Sequence, residues 1–507
     1  VYAVRPFLTG TEVIYLSQYF DIHYTVTGTD YINGVDANSN GTPDYVDNMA
    51  AIFDNVWNQY ALRGYGMPPS DGGLGGTNYY DIYIHNIGVT TYGYVSAEQT
   101  IGDNSSSTPT EVDAMTSWMG MNTTYSWVSG GITALDAIKV TAAHEFFHAV
   151  QFGICSTNTN FLSEATAAWA EDEIYPNIDD NLQYLGSIFN TPDVALNWNM
   201  DYDVNLGQQF SGHWYGAWIF FRYMTEHTSS SIIKDIWYST IVNYEMGSID
   251  IELQNWGTDF ETEYQNFLVS CDVLSDSPAY APYSFDKAPA YANSLTQHGI
   301  AYEAEWIYYG VDINLQVSNQ ANVGNSRLMR LSADYFNMTA LLGFSLKLVP
   351  QYPSSSHMKF MLLKYDTIAG TMDVENSFMN GDTLQINIGN NNSYTNYTAI
   401  IYRDDYVMNN QNSGASEQYE VFVNYNAGSS GIENPNVTSS IQIYPNPSTD
   451  FIIFKSSEER KEFKIYNTLG KEVSRGITNV QTRISSLSKG LYYAKLSDEN
   501  GVIFLKE

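Results

Sequence analysis

The chain is 507 residues long, beyond the size at which one hydrophobic core stays intact, so about three domains are expected. Its 56 acidic and 22 basic residues give a formal net charge of -34, which repels phosphate backbones and anionic lipid and argues against nucleic acid or membrane-surface partners. Charged residues make up only 15% of the chain and aromatic residues another 15%, a balance that fits an extracellular, β-rich protein.

In chain order, residues 18–26 alternate well enough to predict a strand entering a sheet. No signal peptide is visible ahead of it, and the chain opens at Val1 without Met, which leaves room for a removed targeting segment. The residues before this strand are also a candidate inhibitory segment. Residues 36–47 carry oxygen side chains in the spacing of an EF-hand type loop, with Gly41 at the sharp turn. Asp36, Asn38, Asn40, Thr42, Asp44 and Asp47 would supply the oxygens, and calcium is the ion that such a set selects. The same residues also spell an Asn/Gly turn that caps the next helix, so both readings stand. That helix is predicted over 44–62, with Val46, Met49, Phe53, Val56 and Trp57 as its packing stripe. The glycine run at 72–76 lacks the Lys-Ser/Thr of a phosphate loop and precedes no helix, which speaks against nucleotide binding. Strands are predicted at 79–85 and 92–95.

Residues 136–152 read as an apolar helix, with Ile138, Ala142, Phe146, Ala149 and Val150 available for burial and Gly153 placed to end it. Within it stands His144-Glu145-Phe146-Phe147-His148. Histidines four apart lie one turn apart on one helix face, so both imidazoles can reach one metal ion while the glutamate sits beside them. Three protein ligands and a water make a catalytic zinc site, and Glu164 on a second predicted helix over 161–173 is the candidate third ligand. Here the chain resembles the gluzincin branch of the zincin metallopeptidases. The resemblance implies zinc ligation by His144, His148 and Glu164, and a general-base role for Glu145. The metzincin pattern does not fit, because Gln151 stands where its glycine would be and Ile154 where its third histidine would be. Glu171, seven residues after Glu164, faces the same side of its helix. It is a candidate to orient a ligand histidine, with a solvated acid as the equal alternative.

A helical lobe should follow, with a buried helix over 212–224 and further helices over 231–244 and 251–269. Zincins commonly place a Tyr or His opposite the metal to stabilise the oxyanion, and Tyr215 and His213 are the candidates, against ordinary packing of both. Cys155 and Cys271 are too few for a disulfide framework; one bridge and two buried thiols are both open. No apolar run reaches transmembrane length.

From about residue 301 alternating segments at 311–317, 344–348 and 397–402, separated by Asn/Gly/Ser turns, predict a β-sandwich to about 427. Residues 428–440 read as a linker rich in Gly, Ser and Asn. Beyond it the charge balance flips, with ten basic and seven acidic residues over 451–507. Ile443-Tyr444-Pro445-Asn446-Pro447, Phe463-Lys464-Ile465-Tyr466-Asn467 and Lys489-Gly490-Leu491-Tyr492-Tyr493 resemble the C-terminal sorting domain of the type IX secretion system. That resemblance covers 441–507 and implies a small β-sandwich, engagement of the secretion machinery, export across the outer membrane, and release or attachment at the cell surface.

The sequence therefore predicts a multidomain α+β protein: a zincin-like domain over 1–300, a β-sandwich over 301–427 and a sorting domain over 441–507. The expected activity is zinc-dependent hydrolysis of peptide bonds. A surface-binding or adhesin protein with a structural or inactive zinc site is the alternative, and it would lack chelator-sensitive hydrolysis. A zinc hydrolase acting on something other than protein is a third.

Overall fold

A computed structural model of the protein describes residues 4–128, 131–200, 210, 212–308, 315–318, 328–340, 343–352, 356–366, 370–389, 394–406, 417–425, 442–444, 448–455, 460–467, 471–496 and 502–506. The predicted linker at 428–440 lies outside these residues. The chain divides into two compact units, one holding residues 1–301 with 329–332 and 404–415, the other holding the remainder.

The first unit is built on a five-stranded mixed sheet in the order β1-β2-β3-β5-β4. Its strands are β1 (Val13–Leu16), β2 (Phe20–Tyr24), β3 (Tyr80–His85), β4 (Gly93–Gly102) and β5 (Ala114–Asn122). The inner strands β2, β3 and β5 run parallel, and β1 and β4 close the two edges antiparallel. Every residue of β2 and β5 is buried, as expected of strands covered on both faces. The residues ahead of β2 are knitted into this sheet: β1 pairs with β2, and Arg5 is ion-paired to Asp71, to Asp81 at 2.5 Å and to Glu98 at 2.7 Å.

Helix α1 (Asp44–Leu62) packs Met49, Phe53 and Val56 inward, as its periodicity predicts. Helix α2 (Ala134–Phe152) is apolar nearly all round, the signature of a helix inside a domain. The two helices meet the sheet in one aromatic cluster. Phe146 lies 5.3 Å from Phe20, 5.4 Å from Trp57 and 5.6 Å from Tyr80, ring centre to ring centre. Full burial of one such side chain stabilises by about 1.5–3 kcal/mol.

Helix α3 (Asn160–Ile174) follows and packs along α2. Then come α4 (Gly186–Phe189), α5 (His213–Gly216), α6 (Trp218–His227), α7 (Ile232–Ser239), α8 (Glu245–Asn255), α9 (Phe260–Val273) and α10 (Ala288–Ser294). The helix expected over 212–224 is thus two helices with a break at Ala217, and the segment expected over 251–269 is split at 256–259. Gly257 at that split has φ +86, a conformation that ends α8 and that only glycine takes without strain. The bridge between Cys155 and Cys271 does not form: both are free and buried, and burial pushes the Cys271 thiol well up.

The second unit holds two β structures. The first is made of β6 (Ala304–Tyr308), β7 (Leu315–Ser318), β8 (Ser332–Ala340), β9 (Phe344–Pro350), β10 (Met358–Asp366), β11 (Thr371–Asn376), β12 (Phe378–Asn380), β13 (Thr383–Ile388), β14 (Asn396–Arg403) and β15 (Tyr419–Tyr425). Its five-stranded sheets β11-β10-β14-β8-β6 and β12-β13-β9-β15-β7 share one core. Strand β9 (Phe344–Pro350) shows the driving pattern, with Phe344, Leu346 and Leu348 buried and the residues between them half-buried. The second is made of β16 (Gln442–Tyr444), β17 (Phe451–Lys455), β18 (Glu462–Asn467), β19 (Glu472–Ile477), β20 (Gln481–Arg483), β21 (Gly490–Leu496) and β22 (Val502–Lys506). Its sheets β16-β17-β20 and β19-β18-β21-β22 enclose Ile452, Phe454, Phe463, Ile465, Ile484 and Phe504.

Candidate metal centre

Helix α2 starts on a capping box. Thr133 Oγ1 accepts from Asp136 N at 3.1 Å, and Asp136 Oδ2 accepts from Thr133 N at 3.3 Å. The cap fixes where the helix begins, and the 3.6-residue period then puts His144, Glu145 and His148 on its one half-exposed side. Their rings lie 4.9 Å apart and almost perpendicular.

Helix α3 brings Glu164 to this pair. Glu164 Oε2 is 3.3 Å from His144 Nε2 and 3.4 Å from His148 Nε2. Among the described residues, His144, His148 and Glu164 form the only group of three His, Cys, Asp or Glu side chains whose donor atoms lie within metal-sharing distance of one another.

The other ring nitrogens are occupied. His144 Nδ1 is 2.7 Å from Glu171 Oε1, so the two acids of α3, seven residues apart, hold one imidazole at both nitrogens. His148 Nδ1 is 2.8 Å from Gln151 Oε1. An acceptor at each Nδ1 can hold the ring hydrogen there, so a cation shared with Glu164 would be met by the Nε2 atom of each ring.

The electrostatics of the cluster favour a cation. Burial works against charge on His144, but its hydrogen bonds to Glu164 and Glu171 outweigh this and hold its pKa well above the ordinary value. His148 is raised by the Glu164 charge in the same way, against burial. Glu164 also resists burial and is held far below the usual carboxylate range by the two histidines. Two imidazole nitrogens and one carboxylate are the donor set that zinc takes, so the residues present fit that ion.

Glu145 projects from the same side of α2 and is not one of the three converging donors. Burial raises its pKa, which makes the carboxylate a better proton acceptor. The edge strand β4 packs tightly on α2 here: a Cβ at Gly93 would come within 2.9 Å of Thr141 Cγ2 and 3.2 Å of Glu145 Cγ, so a side chain at this position would force its neighbours to shift.

Tyr215 and His213 sit on the same short helix but serve differently. The Tyr215 ring is 5.9 Å from that of His144 and stacks on Tyr184 at 5.0 Å, with the Glu164 and Glu145 carboxylates nearby. Burial and the charges of Glu164 and Glu145 push its pKa up, so the hydroxyl keeps its proton. His213 is 1% exposed, and its Nδ1 faces Ser187 O at 2.7 Å. Burial lowers its pKa to about 4, so it is a neutral donor to a backbone carbonyl and is not free to stabilise an oxyanion.

Residues 36–47 close as a turn through their own hydrogen bonds. Asp36 accepts from Asn40 N at 3.1 Å and Gly41 N at 2.8 Å, while Asn38 Oδ1 accepts from Asn40 N at 2.9 Å and Asn40 Oδ1 from Thr42 N at 2.8 Å. The amide groups of Asn38 and Asn40 donate to Asp47 Oδ2, and Asp44 Oδ1 accepts from Ala37 N. This is the Asx-turn arrangement that leads directly into α1.

Sequence reasoning missed Gln151, whose only apparent meaning was a mismatch with the metzincin pattern, and Asp180 and Tyr184, which lie near Glu171 and Tyr215. An amide three residues after the second histidine was the one available signal for Gln151. Nothing in the sequence marked the other two.

No curated protein matches this chain. Among solved structures, the pre-peptidase C-terminal domain of a collagenase from Bacillus anthracis is similar at 15% identity, covering 24% of this chain and 96% of that one, with a TM-score of 0.17. No helix of the described residues is long and apolar enough to cross a membrane. Residues 442–506 match the family of secretion system C-terminal sorting domains, and the protein is accordingly exported, to be secreted or held at the cell surface.

Proposed function

We propose that the protein is an exported zinc-dependent endopeptidase of the gluzincin type, with a zincin-like catalytic domain over residues 1–300 and a β-sandwich over 301–427. Residues 441–507 engage the type IX secretion machinery. His144, His148 and Glu164 would hold the zinc, and the chemistry it would supply there is a lowered pKa for the attacking water and polarisation of the substrate carbonyl.

The chain supplies the rest. Glu145, raised by burial, takes the proton of the attacking water and passes it to the departing amine. Tyr215, kept protonated by burial and nearby carboxylates, donates a hydrogen bond to the carbonyl oxygen as that oxygen gains charge. Strand β4, at the sheet edge beside Glu145, is placed to align an extended peptide.

The observation that carries this reading is the convergence of two Nε2 atoms on one Glu164 oxygen at 3.3 and 3.4 Å, with both Nδ1 atoms already bonded. Its test is zinc content against mutation. Wild type should bind one zinc per chain and hydrolyse casein in a chelator-sensitive way, and Glu164→Ala should lose both. A folded wild type without zinc, or an unimpaired Glu164→Ala, would remove the ligand assignment.

A further inference from the structure

We propose that Gln151 is a positioning residue of this centre: it fixes the ring tautomer of His148 and sets the spacing of the two helices that carry the metal donors. The inference rests on the metal-site reading and adds to it a residue that touches neither metal nor substrate.

Gln151 lies on α2, one turn beyond His148, and is 3% exposed. Its Oε1 accepts from His148 Nδ1 at 2.8 Å. Its Nε2 donates to Ser163 O at 3.0 Å and to Thr166 Oγ1 at 3.1 Å, both on α3 and flanking Glu164 in sequence. The two acceptors settle which way the amide points. Turned over, its oxygen would face the Ser163 carbonyl, acceptor against acceptor. Thr166 is fixed in turn, donating to Leu162 O at 2.6 Å and accepting from Trp237 Nε1 of α7 at 3.0 Å.

The amide therefore acts in two directions. Toward α2 its oxygen leaves the Nδ1 hydrogen of His148 one place to go, which frees Nε2 as a donor. Toward α3 its two N–H groups clamp the turn that carries Glu164. Loss of the amide would leave the half-buried Nδ1–H of His148 without its acceptor and remove the side-chain link from α2 to α3. The histidines are treated differently: His144 has a carboxylate at Nδ1 and His148 a neutral amide, so the second acceptor adds no further negative charge.

Two variants of the full chain separate these roles. Gln151→Met removes acceptor and donors alike at similar volume, while Gln151→Glu keeps an acceptor for His148. Zinc affinity is measured by chelator competition, and the His148 Nδ1–H resonance is read in zinc-loaded, 15N-histidine-labelled protein. Wild type should show that resonance shifted downfield and protected from exchange. Gln151→Met should lose it and bind zinc about 10–100-fold more weakly, and Gln151→Glu should keep the resonance and lose less than tenfold. Zinc bound by Gln151→Met as tightly as by wild type, or a wild-type His148 without a bonded Nδ1–H, would overturn the proposal while leaving the metal site standing. A wild type that takes no zinc would instead fell the metal reading, and this one with it. Should Gln151→Met not fold, Gln151→Glu decides alone, and loss of its resonance is the contrary result.

Discussion

A histidine can ligate a metal only through a nitrogen free of hydrogen, and what touches the other nitrogen decides which one that is. In this chain Glu171 and Gln151 touch the Nδ1 atoms of His144 and His148, and in the proposed site they would make that decision from beyond the ligand set. Burial pushes the Glu171 carboxyl up to about 7, and the hydrogen bond and charge of His144 pull against that rise. Glu171→Ala should weaken zinc binding about 10–100-fold by chelator competition, with a near-UV spectrum like wild type. Tyr215 is predicted to act on the transition state alone. Tyr215→Phe should lower kcat by about 10–1000-fold with little change in KM, and a rise in KM at constant kcat would instead assign it to substrate binding.

At the scale of the element, legibility followed burial. Helix α1 could be read to its ends, because one face is apolar and the other polar. The apolar run of α2 and the spacing of its histidines were equally plain, and they carried most of the candidate site. Strand β5 was not legible. It is buried on both faces between β3 and β4, so Met115, Thr116, Ser117, Trp118 and Met119 show no alternation to detect. The break at Ala217 was hidden for a similar reason, since Trp214, Trp218, Ile219 and Phe220 are all buried and the period is lost among them. His213 could not be separated from Tyr215 by sequence, because its partner is the backbone of Ser187. Helix α8 supplies a prediction for pH. Its first residue, Glu245, is 1% exposed, and burial raises its pKa from 4.5 to about 7 despite hydrogen bonds from Thr159. A raised carboxyl binds its proton more tightly when folded, so this residue's contribution to stability is full below about pH 4.5, falls as pH rises toward 7 and is level above. Glu245→Gln should therefore raise the melting temperature at pH 8 and leave it nearly unchanged at pH 4.5. Equal shifts at both values would count against it.

The whole molecule joins an acidic, exported chain to a buried cluster that favours a cation. Its net charge of -34 keeps polyanions away and adds long-range attraction for divalent ions and basic peptides. Its core explains how two helices can hold the donors still. Phe146 sits beside Glu145 in sequence yet lies in the aromatic cluster between sheet and helices, so the residue next to the proposed base is also a fixed point of the fold. Phe146→Ala should cost about 3–5 kcal/mol in denaturant unfolding and reduce zinc occupancy in proportion to the unfolded fraction. The role of Glu145 as the base of a zinc peptidase is tested by casein hydrolysis by wild type and Glu145→Gln, each with its bound zinc measured. Equal zinc is expected in both, with a rate at least about 100-fold lower in Glu145→Gln. Hydrolysis by Glu145→Gln at the wild-type rate, or none by a zinc-loaded wild type, would contradict it.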